Sequence, residues 1–138
     1  MSDLLKMTAI EARNSLLKKE ISSVELLNAY QNAMENTKAL NNYVTPTLDA
    51  AKQMAVNADK AYAQGNAGPL AGLPIGVKDL FCTKDIETTA CSAILKGFLP
   101  SYESTVTSNI WHSGGVMLGK LNCDEFAMGS SNETSIFG

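Results

Sequence analysis

A lysine interrupts an apolar segment: Lys78, within Gly72-Leu73-Pro74-Ile75-Gly76-Val77-Lys78-Asp79-Leu80-Phe81. A run of this kind reads as a short buried strand from Ile75 to Phe81. A lysine there is costly unless paired or neutralised. If neutral, its amine could act as a base. From a reference pKa of ~10.4 that needs a fall of about three units, roughly 4 kcal/mol against the charged form. Burial among Val77, Leu80 and Phe81 could supply the desolvation. Asp79 would oppose it if the two side chains met, but strand neighbours point to opposite faces. The competing reading is an edge-strand lysine reaching into water, a common device against aggregation.

The other candidates carry less. Cys82, Cys91 and Cys123 are three in number without a CxxC pair, and His112 is the only histidine. A disulfide framework or zinc site is not expected, and no metal ligand is assigned. The cysteines read as small buried hydrophobes, and His112 as a structural residue near a helix end, within reach of the last carbonyls. Ser130 and Ser131 follow Gly129 as a pair, but read more simply as a helix-terminating turn with satisfied hydroxyls.

These residues need a scaffold, and the chain spells one out. Thr8-Ala9-Ile10-Glu11 and Ser22-Ser23-Val24-Glu25 are capping boxes, each predicting a helix start. Tyr43-Val44-Thr45 is a brief strand candidate. The alanine-rich stretch from Leu48 to Ala63 predicts a third helix ended by Gly65. After the linker Gly65-Asn66-Ala67-Gly68-Pro69 the texture changes to short apolar runs. A helix is expected after Glu103-Ser104 to about Trp111, and a strand over Val116-Met117-Leu118-Gly119. Strand, helix, strand is the crossover unit of an α/β sheet. A third capping box, Asn122-Cys123-Asp124-Glu125, predicts a short helix that Gly129 ends. Residues 1–65 are thus mainly helical, and 70–138 begin an α/β core.

With 45% hydrophobic and 18% charged residues, the chain is neither disordered nor membrane-like. No apolar run approaches the roughly 18 residues of a span, and Met1-Ser2-Asp3-Leu4-Leu5-Lys6 lacks a signal-peptide core, so a cytoplasmic location is expected. Net charge is −3 and the basic residues are scattered, Lys18-Lys19 being the one doublet, which leaves no footprint for nucleic acid.

Three ordered blocks carry a resemblance. The Gly72 to Asp79 segment closely resembles the lysine-bearing strand of amidase-signature enzymes. Gly119-Lys120-Leu121-Asn122-Cys123-Asp124-Glu125-Phe126-Ala127-Met128-Gly129-Ser130-Ser131 is similar to their GKTNMDEFAMGSS block. Glu133-Thr134-Ser135-Ile136-Phe137-Gly138 resembles the ENSAFG that follows. Lys19 to Leu26 also matches the family's early helix. Departures are Gly76 where Ala is frequent, and Leu121 and Cys123 where Thr and Met are usual. Within the family, the DEFAMGSS wording is most typical of the tRNA-dependent amidotransferases.

The resemblance implies an α/β/α sandwich around a mixed sheet, preceded by N-terminal helices, of which residues 1–138 form the N-terminal part of a single domain. It implies a catalytic Lys78 acting with two serines, one bridging through a cis peptide and one the nucleophile. Both belong to a Gly/Ser-rich segment expected beyond Gly138, since the ending Ser135-Ile136-Phe137-Gly138 does not read as a natural terminus. Ala127, Met128, Gly129 and Ser130 are implied to contact the amide substrate. For the whole enzyme it implies glutamine hydrolysis, with ammonia passed to partner subunits B and C of a heterotrimer. The partner, rather than this chain, would hold tRNA, ATP and magnesium. The fragment alone is expected to be inactive and to expose apolar surface. The alternatives are a stand-alone carboxamide hydrolase and a non-catalytic interaction fragment.

Overall fold

The structure, a computed structural model, describes residues 3–138. Met1 and Ser2, and the part of the leader reading that falls on them, lie outside the described residues. The helices begin where hydroxyl residues stand ready to cap them. Thr8 and Ser22 accept from the backbone N–H groups of Glu11 and Glu25, whose carboxylates return the bond to the cap N–H groups. These reciprocal bonds start α1 (Ala9–Leu17) and α2 (Ser23–Asn36). The same bonds hold both glutamates below the usual carboxylate range, the backbone donors contributing most.

Strand β1 (Tyr43–Pro46) leads into α3 (Leu48–Gln64), which stops at Gly65 in the left-handed conformation, φ 74°. Glycine adopts that angle without steric cost, and so ends the helix. Strand β2 (Pro74–Lys78), helix α4 (Thr105–His112) and strand β3 (Val116–Leu121) follow. The sheet order is β1-β3-β2, with β2 parallel and β1 antiparallel to β3. The parallel pair joined through α4 is the expected crossover, and the sheet is mixed. β1, from the mainly helical part, pairs directly with β3, so the helical and α/β parts share one sheet.

The core forms where α3 meets the central strand. Ala51 and Ala55, one helical turn apart, pack with Leu27, Val116 and Leu118. Small side chains let the α3 backbone approach the sheet, while each buried Leu or Val contributes about 1.5–3 kcal/mol. A second cluster joins Ala12, Leu16, Leu26 and Leu73, fixing α1 and α2 against the start of β2.

Three expectations are corrected. The Ile75 to Phe81 strand begins at Pro74 and ends at Lys78, because the chain turns there, with the Phe81 N–H donating to the Lys78 carbonyl (3.1 Å). The strand after α4 runs two residues further than Gly119, to Leu121. The third capping box does not form. Only a 3-10 turn, Glu125–Ala127, follows, because the Asp124 and Asn122 side chains are engaged elsewhere, and Phe126 lies at φ 51°. Ile94, Leu99 and Met128 are among the exposed large apolar side chains. Among the described residues, no helix is long and apolar enough to cross a membrane.

Candidate active site

Lys78 is the last residue of β2, an edge strand, and its side chain is exposed. It opens onto a cleft whose other walls are Asn122, Cys123 and Asp124 after β3 and the loop Gly129 to Asn132. The expected burial among Val77, Leu80 and Phe81 is not found. Val77 is buried, whereas Leu80 is 41% exposed and leaves the lysine uncovered. The turn at Lys78 carries the later apolar residues away from it.

Asp79 does not meet Lys78. It follows the end of the strand and its side chain is fully buried, whereas that of Lys78 is exposed. Oδ2 accepts from the Thr89 N–H (3.0 Å) and hydroxyl (2.5 Å). Oδ1 lies 3.4 Å from Nζ of Lys120, which is also fully buried. That ammonium donates to the Phe81 carbonyl and the Thr88 hydroxyl, each at 2.7 Å. Burial lowers the Lys120 pKa, while the Asp79 carboxylate beside it pulls the other way. The chain therefore holds two lysines with exchanged settings: the motif lysine in an open cleft, and Lys120 in a dry ion pair.

Lys120 as a structural residue was missed by the sequence reading, which had it only as part of a motif. A signal was present: it is the one charged residue in Val116-Met117-Leu118-Gly119-Lys120-Leu121. Its orientation was not readable. The pairing slips between Ile75↔Met117 and Gly76↔Gly119, adding one residue to β3. A bulge reverses the alternation beyond it. Lys120 accordingly faces the Asp79 turn rather than the α3 side, where Val116 and Leu118 pack.

Of the residues implied to contact substrate, the fold brings Gly129 and Ser130 into the Lys78 cleft. Ala127 and Met128 are not among its walls, and Met128 is 87% exposed. Ser130 and Ser131 do not close a helix with satisfied hydroxyls: among the described residues neither hydroxyl makes a hydrogen bond, and both residues are exposed. The loop is held instead by Asp124, whose carboxylate collects N–H donors from four consecutive residues.

Cys91 and Cys123 are buried and all three cysteines are free, as small core residues would be, with Cys82 only partly covered. The Cys91 and Cys123 sulfurs lie 3.5 Å apart beneath the cleft, and burial pushes the Cys91 thiol up to about 11. His112 Nδ1 donates to the Ser108 carbonyl (2.7 Å) in the last turn of α4, the helix-end role expected of it. No group of three or more His, Cys, Asp or Glu among the described residues could hold a metal ion.

Against known proteins, the family model described as Amidase matches residues 25–138. The A subunit of the glutamyl-tRNA(Gln) amidotransferase of Parvibaculum lavamentivorans is 63% identical over all 138 residues. Its counterpart in a Bradyrhizobium species is 59% identical over the same span. This chain covers 28% of the length of each of these relatives. Among solved structures, a chain of a vestigial protein complex, described as revealing the origins of an s-triazine catabolic enzyme, superposes with a TM-score of 0.90. It is 29% identical, over 96% of this chain and 30% of that one.

Proposed function

This chain belongs to the amidase family, and from that premise we propose that it is the N-terminal part of the glutamine-hydrolysing component of a glutamyl-tRNA(Gln) amidotransferase. Residues 1–138 form the opening of one amidase domain, and the remaining strands and the two serines belong to sequence beyond Gly138. The whole enzyme releases ammonia from glutamine and passes it to a partner. That partner, one of subunits B and C, holds tRNA, ATP and magnesium and converts glutamyl-tRNA(Gln) to glutaminyl-tRNA(Gln) in the cytoplasm.

The observation that carries this reading is the placement of Lys78. It stands at the C-terminal end of a parallel strand, in a cleft shared with Gly129 and Ser130. Ligand sites of open α/β sheets collect at such strand ends. The lysine, made neutral, takes a proton from the bridging serine, which takes one from the nucleophile. The nucleophile's oxygen then attacks the carboxamide carbon. The proton held on the lysine returns through the bridging serine to the leaving nitrogen, which departs as ammonia as the acyl-enzyme forms, and water then hydrolyses the acyl-enzyme to glutamate. Lys78 is open on this chain's own side. Asp79 does not oppose its neutral form, because it is turned away and neutralised by Lys120.

The test is Lys78→Ala in the full-length protein together with its partners, measuring ammonia release from glutamine. Positioned acid–base groups contribute about 10²–10⁴-fold. A fall in kcat within or beyond that range is expected, with the far-ultraviolet spectrum unchanged. A variant that keeps wild-type kcat would overturn the assignment.

A further inference from the structure

Asp124 lies just beyond β3, and the chemistry assigned to Lys78 makes no use of it. The residue is 6% exposed. Its Oδ2 accepts from the N–H groups of Ser131 (3.2 Å) and Asn132 (2.8 Å). Its Oδ1 accepts from the N–H groups of Glu133 (2.8 Å) and Thr134 (3.1 Å), and from the Thr134 hydroxyl (3.0 Å). One carboxylate thus satisfies four consecutive amides, an arrangement possible only if the loop curls around it. Gly129 closes the curl. A side chain there would run into the Asp124 carboxyl group, so the Gly129 backbone lies directly against it.

The same loop is a wall of the Lys78 cleft, where Gly129 and Ser130 stand beside Asp124. Among the described residues, the N–H groups of Gly129 and Ser130 and the Ser130 hydroxyl have no hydrogen-bond partner. Asp124 therefore consumes the donors of residues 131–134 and leaves those of 129 and 130 at the cleft. We propose that Asp124 is a positioning residue for the carboxamide substrate: by anchoring Ser131–Thr134 it holds the Gly129 and Ser130 donors where they can receive a substrate oxygen. This rests on the reading of Lys78 and its cleft as the active site. The amides hold Asp124 at about pKa 2, so the anchor stays ionised across the working range of an enzyme.

The test is made in the full-length protein with its partners. Asp124→Asn keeps the shape, but its NH₂ group cannot accept, so one pair of loop amides loses its partner. The KM for glutamine should rise at least tenfold while kcat changes less than threefold. Gly129→Ala leaves the charge in place and displaces the loop sterically, and it should raise KM in the same direction. A merely structural role would lower the melting temperature or yield and leave the KM of the surviving enzyme unaltered, which would overturn the proposal. Loss of all folded protein in both variants would assign Asp124 to folding and overturn it equally. The Lys78 reading is tested separately by the kcat of Lys78→Ala, so the two failures are distinguishable.

Discussion

Replacing Lys120 with methionine removes an ammonium from a site without water access. The methionine chain fills much of the same space, so the loss is mainly electrostatic. The Phe81 carbonyl and the Thr88 hydroxyl each lose a donor at 2.7 Å. The larger effect falls on Asp79. Its Oδ1 has no hydrogen-bond donor and depends on the ammonium 3.4 Å away for compensation. Stranding a buried charge in this way costs about 3–5 kcal/mol, against a total stability for a domain of about 5–15 kcal/mol. The folding equilibrium should shift by roughly two to four orders of magnitude. The double variant Lys120→Met with Asp79→Asn should be less damaged than Lys120→Met alone, by about 1–2 kcal/mol. The asparagine oxygen can still accept from Thr89, and no charge is left behind. Urea unfolding followed by Trp111 fluorescence gives both values. A cost below about 1 kcal/mol for Lys120→Met, or a double variant as unstable as the sum of the singles, would refute the ion-pair account.

Two further outcomes follow from the loops around the cleft. Asp124 is lowered from an ordinary value of 3.8 to about 2, so its stabilisation is fully present above pH 4 and is lost as the pH falls through 2. Amide resonances of Ser131–Thr134, followed by NMR between pH 5 and 1.5, should therefore titrate together with a midpoint near 2. A midpoint at 3.8 would show that the loop is not anchored by this carboxylate. With an aromatic disulfide reagent, Cys82 should react first, whereas Cys91 and Cys123 should become reactive only on unfolding, since both are buried and the Cys91 thiol is raised to about 11. Fast labelling of Cys91 in the native chain would contradict that burial.

The elements legible in the sequence were those set by neighbours a few residues apart. Thr8 with Glu11 and Ser22 with Glu25 start helices because a hydroxyl and a carboxylate three residues on can satisfy each other's backbone locally. Gly65 ends α3 for an equally local reason, a left-handed angle at φ 74°. Asn122 to Glu125 has the same spacing yet fails to cap. Asn122 Oδ1 is taken by the Ser135 hydroxyl and the Cys123 N–H, and Asp124 by residues 131–134. The pattern is local, but the competing partners are up to thirteen residues away.

The site divides along the same line. By itself the sequence determined that a lysine stands in an apolar segment, and that this segment and the DEFAMGSS block occur in an order resembling one enzyme family. It also allowed that Asp79 need not meet Lys78, although the burial of Asp79 is set by the turn after Lys78 rather than by strand alternation. Tertiary structure alone decided which lysine is dry. A one-residue bulge in β3 turns Lys120 onto Asp79, and a turn after Lys78 leaves the motif lysine open in the cleft. Burial is a property of what packs across the chain, and composition along a segment cannot supply it. The same holds for Asp124: an acidic residue in a motif becomes a loop anchor only when four amides from later in the chain fold back onto it.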